Sequence, residues 1–151
     1  MWYTRKNLSN EMLKKAVYFS LGLGILAFLG AGSVEDEVDY SSYDYSSPAF
    51  QVRYKALADE FENNSIAAEA KYEGKLIYVR GPVGSVDKDI LDNPYVAIRG
   101  EWDFASVQCF LVDQEVSSAS TLRKGQRIVV AGVVGDTTLG VSLDGCKIIS
   151  R

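Results

Sequence analysis

The chain contains no histidine, and only two cysteines, three prolines and two methionines among its 151 residues. Without imidazole, neither a Ser-His-Asp or Cys-His catalytic set nor a histidine-dependent zinc site can be assembled. Two cysteines fall short of a four-thiolate metal centre, and no C-x-x-C redox pair is present. An excess of positive charge is lacking too: Lys+Arg 16 against Asp+Glu 20 leaves −4. A domain that grips phosphate backbones by counterion release is usually basic. No metal and no cofactor are expected, and acid–base chemistry would have to come from carboxylates such as Glu101 and Asp103. Their spacing of two on a strand is also what any solvated face shows, so the chain is not expected to be an enzyme.

What is present begins with an uncharged run, Ala16–Gly32, AVYFSLGLGILAFLGAG. As a helix its 17 residues would span roughly 25 Å, the short end of what crosses a bilayer core. Arg5, Lys6, Lys14 and Lys15 precede it against Glu11 alone, whereas the first basic residue after it is Arg53. The positive-inside rule then places the N-terminus in the cytoplasm and everything from Ser33 onward outside it. Residues 1–15 read as a basic cytoplasmic N-terminus and 16–34 as a single-pass transmembrane anchor, or a signal peptide. Ala31-Gly32-Ser33 is a small-x-small pattern of the kind signal peptidase accepts, but the preceding region is long and the apolar stretch exceeds the usual h-region. Retention is favoured, and no cysteine stands directly after the run to accept a lipid. The G-x-G-x-x-A match at Gly22–Ala27 has neither the strand before it nor the acidic residue after it that a dinucleotide site needs. Ala16, Ser20 and Gly24 fall four apart on one helical stripe of small residues, which in lipid lets another helix approach closely. A second copy or a different subunit could fill that role, and such stripes are also common by composition alone.

Residues 35–47 are acidic and rich in Ser and Tyr, without helical or strand period, and read as a flexible, solvated linker. Residues 48–151 read as the folded part. Ser47-Pro48 supplies an N-cap and first-turn proline for a helix from about Ala49 to Glu62, with Val52, Leu57 and Phe61 on its apolar side. Ser65 is expected to cap a second helix, Ile66 to Tyr72, ended by Gly74. Beyond Gly74 come short β-branched runs punctuated by glycine: Lys75–Val86, bent at Gly81-Pro82, then Tyr95–Gly100, Ser106–Val112, Arg127–Val134 and Gly140–Ile149. Asp113–Ser120 is a polar connection with room for a helical turn. The pattern is mainly β, a small five-stranded Greek-key barrel of OB-fold type preceded by one or two short helices.

The stretch YKALADEFENNSIAAEAKYEGKLIYVRGPVGSV, followed by Tyr95–Gly100, Val107-Gln108-Cys109, Leu122-x-x-Gly125-Gln126 and Leu143-x-x-Cys146, resembles the tRNA-anti-like group of OB-fold proteins over about Tyr54 to Ile149. The resemblance implies a tethered or exported bacterial protein, here in the inner membrane with its domain periplasmic or otherwise extracytoplasmic. The group's name reflects fold similarity to anticodon-binding domains. Cys109 and Cys146 fall on the third and fifth strands, neighbours in an OB barrel. An oxidising compartment would join them in a disulfide; otherwise they are two buried thiols acting as small hydrophobes.

OB-fold readers of nucleic acid combine a basic groove with stacking aromatics. Tyr78, Tyr95, Trp102 and Phe104 could supply stacking surfaces and Arg80 and Arg99 two charges, yet Glu101 and Asp103 share the same strands. Surface aromatics on a small barrel more often contact protein. The expected function is a non-enzymatic, membrane-anchored binding or scaffolding module whose partners are a protein at the membrane, membrane lipid, and a second copy through the anchor. The alternative is an exported OB domain that binds a polyanion, oligosaccharide or nucleic acid, with nucleic acid the least favoured.

Overall fold

Leu76–Lys88 (β2) is a single strand of 13 residues whose two halves pair with different neighbours. In this computed structural model, which describes residues 38–135, 137 and 140–151, its first half pairs antiparallel with Arg127–Val134 (β5). Its second half pairs with Pro94–Ile98 (β3). Val107–Leu111 (β4) lies antiparallel to β3 and parallel to Val141–Ser150 (β6), and β6 returns to β5. The closed circuit β2-β3-β4-β6-β5-β2 is a five-stranded barrel with the strand order of a Greek key. Side chains alternate: Ile77, Val79, Val96, Ile98, Val130 and Leu143 fill the interior.

The strand carries Gly81-Pro82 without losing register, since these residues face Ile128 and Arg127. The slip expected there falls instead between Val83 and Ser85, at Gly84. Proline is tolerated because β2 passes from one partner to the other at this point, and the bulge one residue on completes the bend.

The helix expected from Ala49 begins only at Tyr54. Phe50–Arg53 is a short strand (β1) laid parallel along β2, pairing Phe50 with Ile77 and Arg53 with Arg80. Phe50 and Val52 alternate inward, a period of two that the helical reading of Val52 absorbed. β1 covers the edge of β2 that β3 leaves open, so backbone groups that would face solvent are paired. Tyr54–Asn63 (α1) and Ser65–Tyr72 (α2) follow. Asn64, not Ser65, caps α2, its side-chain oxygen accepting from Ala67 N at 3.1 Å. Leu57 and Phe61 of α1 and Ala68 and Tyr72 of α2 join the barrel core. The polar connection after β4 holds a short helix, Val116–Ala119 (α3).

The linker reading fails for its last part. The compact unit begins at Asp39, not at residue 48. Tyr40, Tyr43 and Tyr45 pack with Tyr78 against Leu76, Ala131 and Val133 on the outer face of β2 and β5. Tyr45 donates its hydroxyl to Gly145 O, Tyr78 donates to Tyr45 O, and Lys147 Nζ stands 3.9 Å over the Tyr45 ring. Burial raises the pKa values of Tyr40 and Tyr45 above the usual phenol range. Three rings within six residues bury enough surface to order a segment whose serines and carboxylates suggested otherwise.

The apolar run Ala16–Gly32, and with it the stripe Ala16, Ser20 and Gly24, lies outside the described residues. Among the described residues no helix is long and apolar enough to cross a membrane.

Candidate functional site

The loop between β3 and β4, residues 99–106, is fixed to the start of α1 by one side chain. The Tyr54 hydroxyl donates to Asp103 Oδ2 and accepts from Gly100 N at 3.1 Å. Lys55 Nζ adds a contact to Asp103 Oδ1 at 3.6 Å. Tyr54's donation, helped by the Lys55 charge, holds the Asp103 carboxyl below its usual pKa; the same bond raises that of the tyrosine. Close approach demands glycine on both sides. A Cβ on Gly81 would lie 2.6 Å from Tyr54 Cδ1, and one on Gly100 2.7 Å from Asp103 Oδ2. Asp103 is therefore a structural acceptor, and Glu101 beside it is exposed.

The pinned loop displays two large apolar side chains to solvent. Trp102 is 89% exposed and Phe104 fully so. Phe104 also forms one wall of a cleft of about 380 Å³ between the α1–α2 turn, this loop and the β5–β6 connection. Ala58, Phe61, Ala105 and Val141 make the cleft apolar, Ser65, Ser106, Gln108 and Thr137 supply polar groups, and Glu62 is its one charged residue among those described. Thr137 Oγ1 donates to Glu69 Oε1 at 2.9 Å and ties the β5–β6 connection to α2. A volume of this size lies at the small end of the range of ligand clefts. Its described lining residues include no Lys or Arg.

The six residues expected on one ligand surface are divided among three places. Tyr78 is covered by Tyr45 and serves packing. Arg80 lies exposed on the same outer face of β2, further along. Tyr95 faces Phe110 across β3 and β4, ring centroids 5.7 Å apart. Arg99, Trp102 and Phe104 belong to the pinned loop. Tyr54, Asp103 as its partner, and the cleft residues Phe61 and Thr137 were missed as site residues; a pair 49 positions apart leaves no local signal. Cys109 and Cys146, on neighbouring β4 and β6, stand at disulfide distance, Sγ–Sγ 2.07 Å and Cα–Cα 5.7 Å. Among the described residues no cluster of acidic or thiol side chains could hold a metal ion.

A closed barrel of this strand order, preceded by two short helices, is an OB-fold domain. The chain belongs to the tRNA_anti-like family, whose model matches residues 10–147. No curated protein matches it. Among solved structures it is similar to a lipoprotein from Klebsiella pneumoniae subsp. pneumoniae to which nucleic-acid binding is ascribed. The two are 21% identical with a TM-score of 0.55 over 67% of this chain and 92% of that one. Weaker likenesses are to asparaginyl-tRNA synthetase from Pyrococcus horikoshii (16% identity, TM-score 0.41, 54% of this chain and 21% of that one) and to an OBody bound to hen egg-white lysozyme (17%, 0.41, 54% and 85%). At these identities the likeness speaks for the fold alone.

Proposed function

We propose that this chain is a non-enzymatic, membrane-tethered binding module that docks a protein partner through the 99–106 loop and the cleft beside it. The observation that carries the reading is the Tyr54–Asp103 pin, which holds Trp102 and Phe104 exposed next to an apolar cleft. Exposing two aromatics has a hydration cost, and ordering them in advance lowers the entropy lost on docking. Aromatic anchors beside a pocket are the usual centre of a protein interface. The run Ala16–Gly32 supports a tether, with the domain outside the cytoplasm by the charge asymmetry around it. The alternative, an exported domain that takes a polyanion in the cleft, is disfavoured by Glu62 and by the lack of basic residues among the described lining residues.

Two experiments test this. Protease added to intact spheroplasts should remove the C-terminal domain; loss only after permeabilisation would reverse the orientation. A Trp102→Ala/Phe104→Ala variant, present in membranes at wild-type level, should lose the proteins that co-isolate with the wild type. Unchanged recovery would dismiss the loop as the docking surface.

A further inference from the structure

Ala58, Phe61 and Glu62 of α1 form one wall of the apolar cleft, and Phe104 of the pinned loop forms another. Lys55, Asp59 and Glu62 fall at i, i+4 and i+7, so they share one stripe of the helix. Lys55 reaches Asp103 in the loop at 3.6 Å, which sets this stripe on the side where the loop packs. Asp59 and Glu62 continue it, Glu62 at the cleft itself, and Glu101 stands on the loop; all three are exposed. Among the described residues none of these three carboxylates has an ion pair or a side-chain hydrogen bond. The basic side chains carried by α1, α2 and the loop are turned to other groups. Lys55 is on Asp103, and Lys71 is on Glu60 at 2.8 Å. Arg99 lies across Gly84 of β2, where an added Cβ would meet it, outside the cleft.

This charge constrains what can close over the cleft. A purely apolar partner would strip water from the Glu62 carboxylate and leave it unpaired, which is costly. An anionic partner would add repulsion from Glu62, Asp59 and Glu101. A basic side chain meets both demands of the site. Its aliphatic stem lies along apolar surface while its head stays with a charge, and a cation is attracted to the face of an aromatic ring. We infer that the docked partner inserts an arginine or lysine side chain from an otherwise apolar segment. Its stem packs on Phe61 and Val141, and its cation sits between the Glu62 carboxylate and the Phe104 ring. The inference rests on the docking reading proposed above and names the chemistry of that partner.

The test uses the full-length protein in non-ionic detergent, with the backbone amides of residues 104–108 followed by NMR. Three end-blocked tripeptides are titrated separately: leucine-arginine-leucine, its citrulline counterpart, which keeps the shape and loses the charge, and leucine-glutamate-leucine. The arginine peptide should bind saturably, about fivefold or more tighter than the citrulline one, and its advantage should shrink as salt is raised. Glu62→Gln should erase most of that advantage while the citrulline peptide binds as before. Asp113→Asn, beyond the far end of β4, should leave both peptides unaffected. The inference is overturned if the citrulline or glutamate peptide binds as tightly as the arginine one, if the advantage survives Glu62→Gln, or if the arginine peptide gives no saturable response. The co-isolation experiment above reads the docking surface separately. If Trp102→Ala/Phe104→Ala loses the native partner but the arginine peptide has no advantage, the surface stands and the cation falls. If that variant keeps its partner, the docking reading falls and the peptide result is judged by itself.

Discussion

Tyr54 and Asp103 hold one another across 49 residues, and the backbone N–H of Gly100 closes the arrangement onto the same hydroxyl. The pair joins the first turn of α1 to the β3–β4 loop, so the helix start sets where Trp102 and Phe104 stand. Removing the hydroxyl leaves Asp103 with Lys55 alone and Gly100 N without its acceptor. Tyr54→Phe is expected to lower stability by about 1–2 kcal/mol and to speed hydrogen exchange across residues 100–106 while leaving β5 and β6 protected. Uniform change, or none, would show that the loop holds its shape unaided.

Acid should release the same loop. The Asp103 pKa is lowered by Tyr54, so the stability it lends is present above the unfolded carboxyl pKa, about 3.9, and is lost as pH falls through the folded value. The raised tyrosine pKa keeps the donor protonated through neutral and mildly alkaline pH, its contribution lost only as pH rises through the folded value above about 10. Trp102 should therefore report no loop change between pH 5 and 9 and a transition below about pH 4, absent in Asp103→Asn. A Trp102 transition near neutrality would contradict the assignment.

The cystine between β4 and β6 closes a loop of 37 positions. Replacing both residues, Cys109→Ala/Cys146→Ala, should lower the denaturation free energy by roughly 3–4 kcal/mol in the chain-entropy model. The intact protein isolated from its native cells should weigh two hydrogens less than the dithiol. Two thiols that alkylate freely in the native protein would remove this contribution.

Tyr45 is expected to keep the N-terminal strap on the barrel, through its hydroxyl on Gly145 O, its ring under Lys147 and its carbonyl accepting from Tyr78. Tyr45→Ala should make residues 39–47 sensitive to limited proteolysis while residues 76–150 resist. Sensitivity equal to that of the wild type would mean that Tyr40 and Tyr43 suffice.

The barrel was legible because its signals are local. Val107-Gln-Cys-Phe-Leu and Arg127-Ile-Val-Val-Ala alternate or run apolar between glycines, and five such runs leave few topologies, which also brought Cys109 beside Cys146. The strap and β1 were not legible for a shared reason. Tyr40–Tyr45 has the composition of a solvated tether and Phe50–Arg53 is only four residues long, and both gain their order from surfaces that exist once the barrel is closed. The spacing of three tyrosines over six residues, and the Phe50-x-Val52 alternation, were the available hints. Of the proposed docking surface, Trp102 and Phe104 could be named from sequence as exposed aromatics, but not Tyr54 and Asp103, which position them, because their relation spans the barrel.

The central claim, that a pinned aromatic loop is the docking surface, is tested most directly by placing a photo-crosslinking residue at Phe104 in the full-length protein in its native cells. The account predicts a discrete adduct with another protein from position 104, diminished when Tyr54→Phe unpins the loop, and absent when the same probe stands at Lys124. Equal adducts from positions 104 and 124, or an adduct from 104 indifferent to Tyr54→Phe, would contradict it.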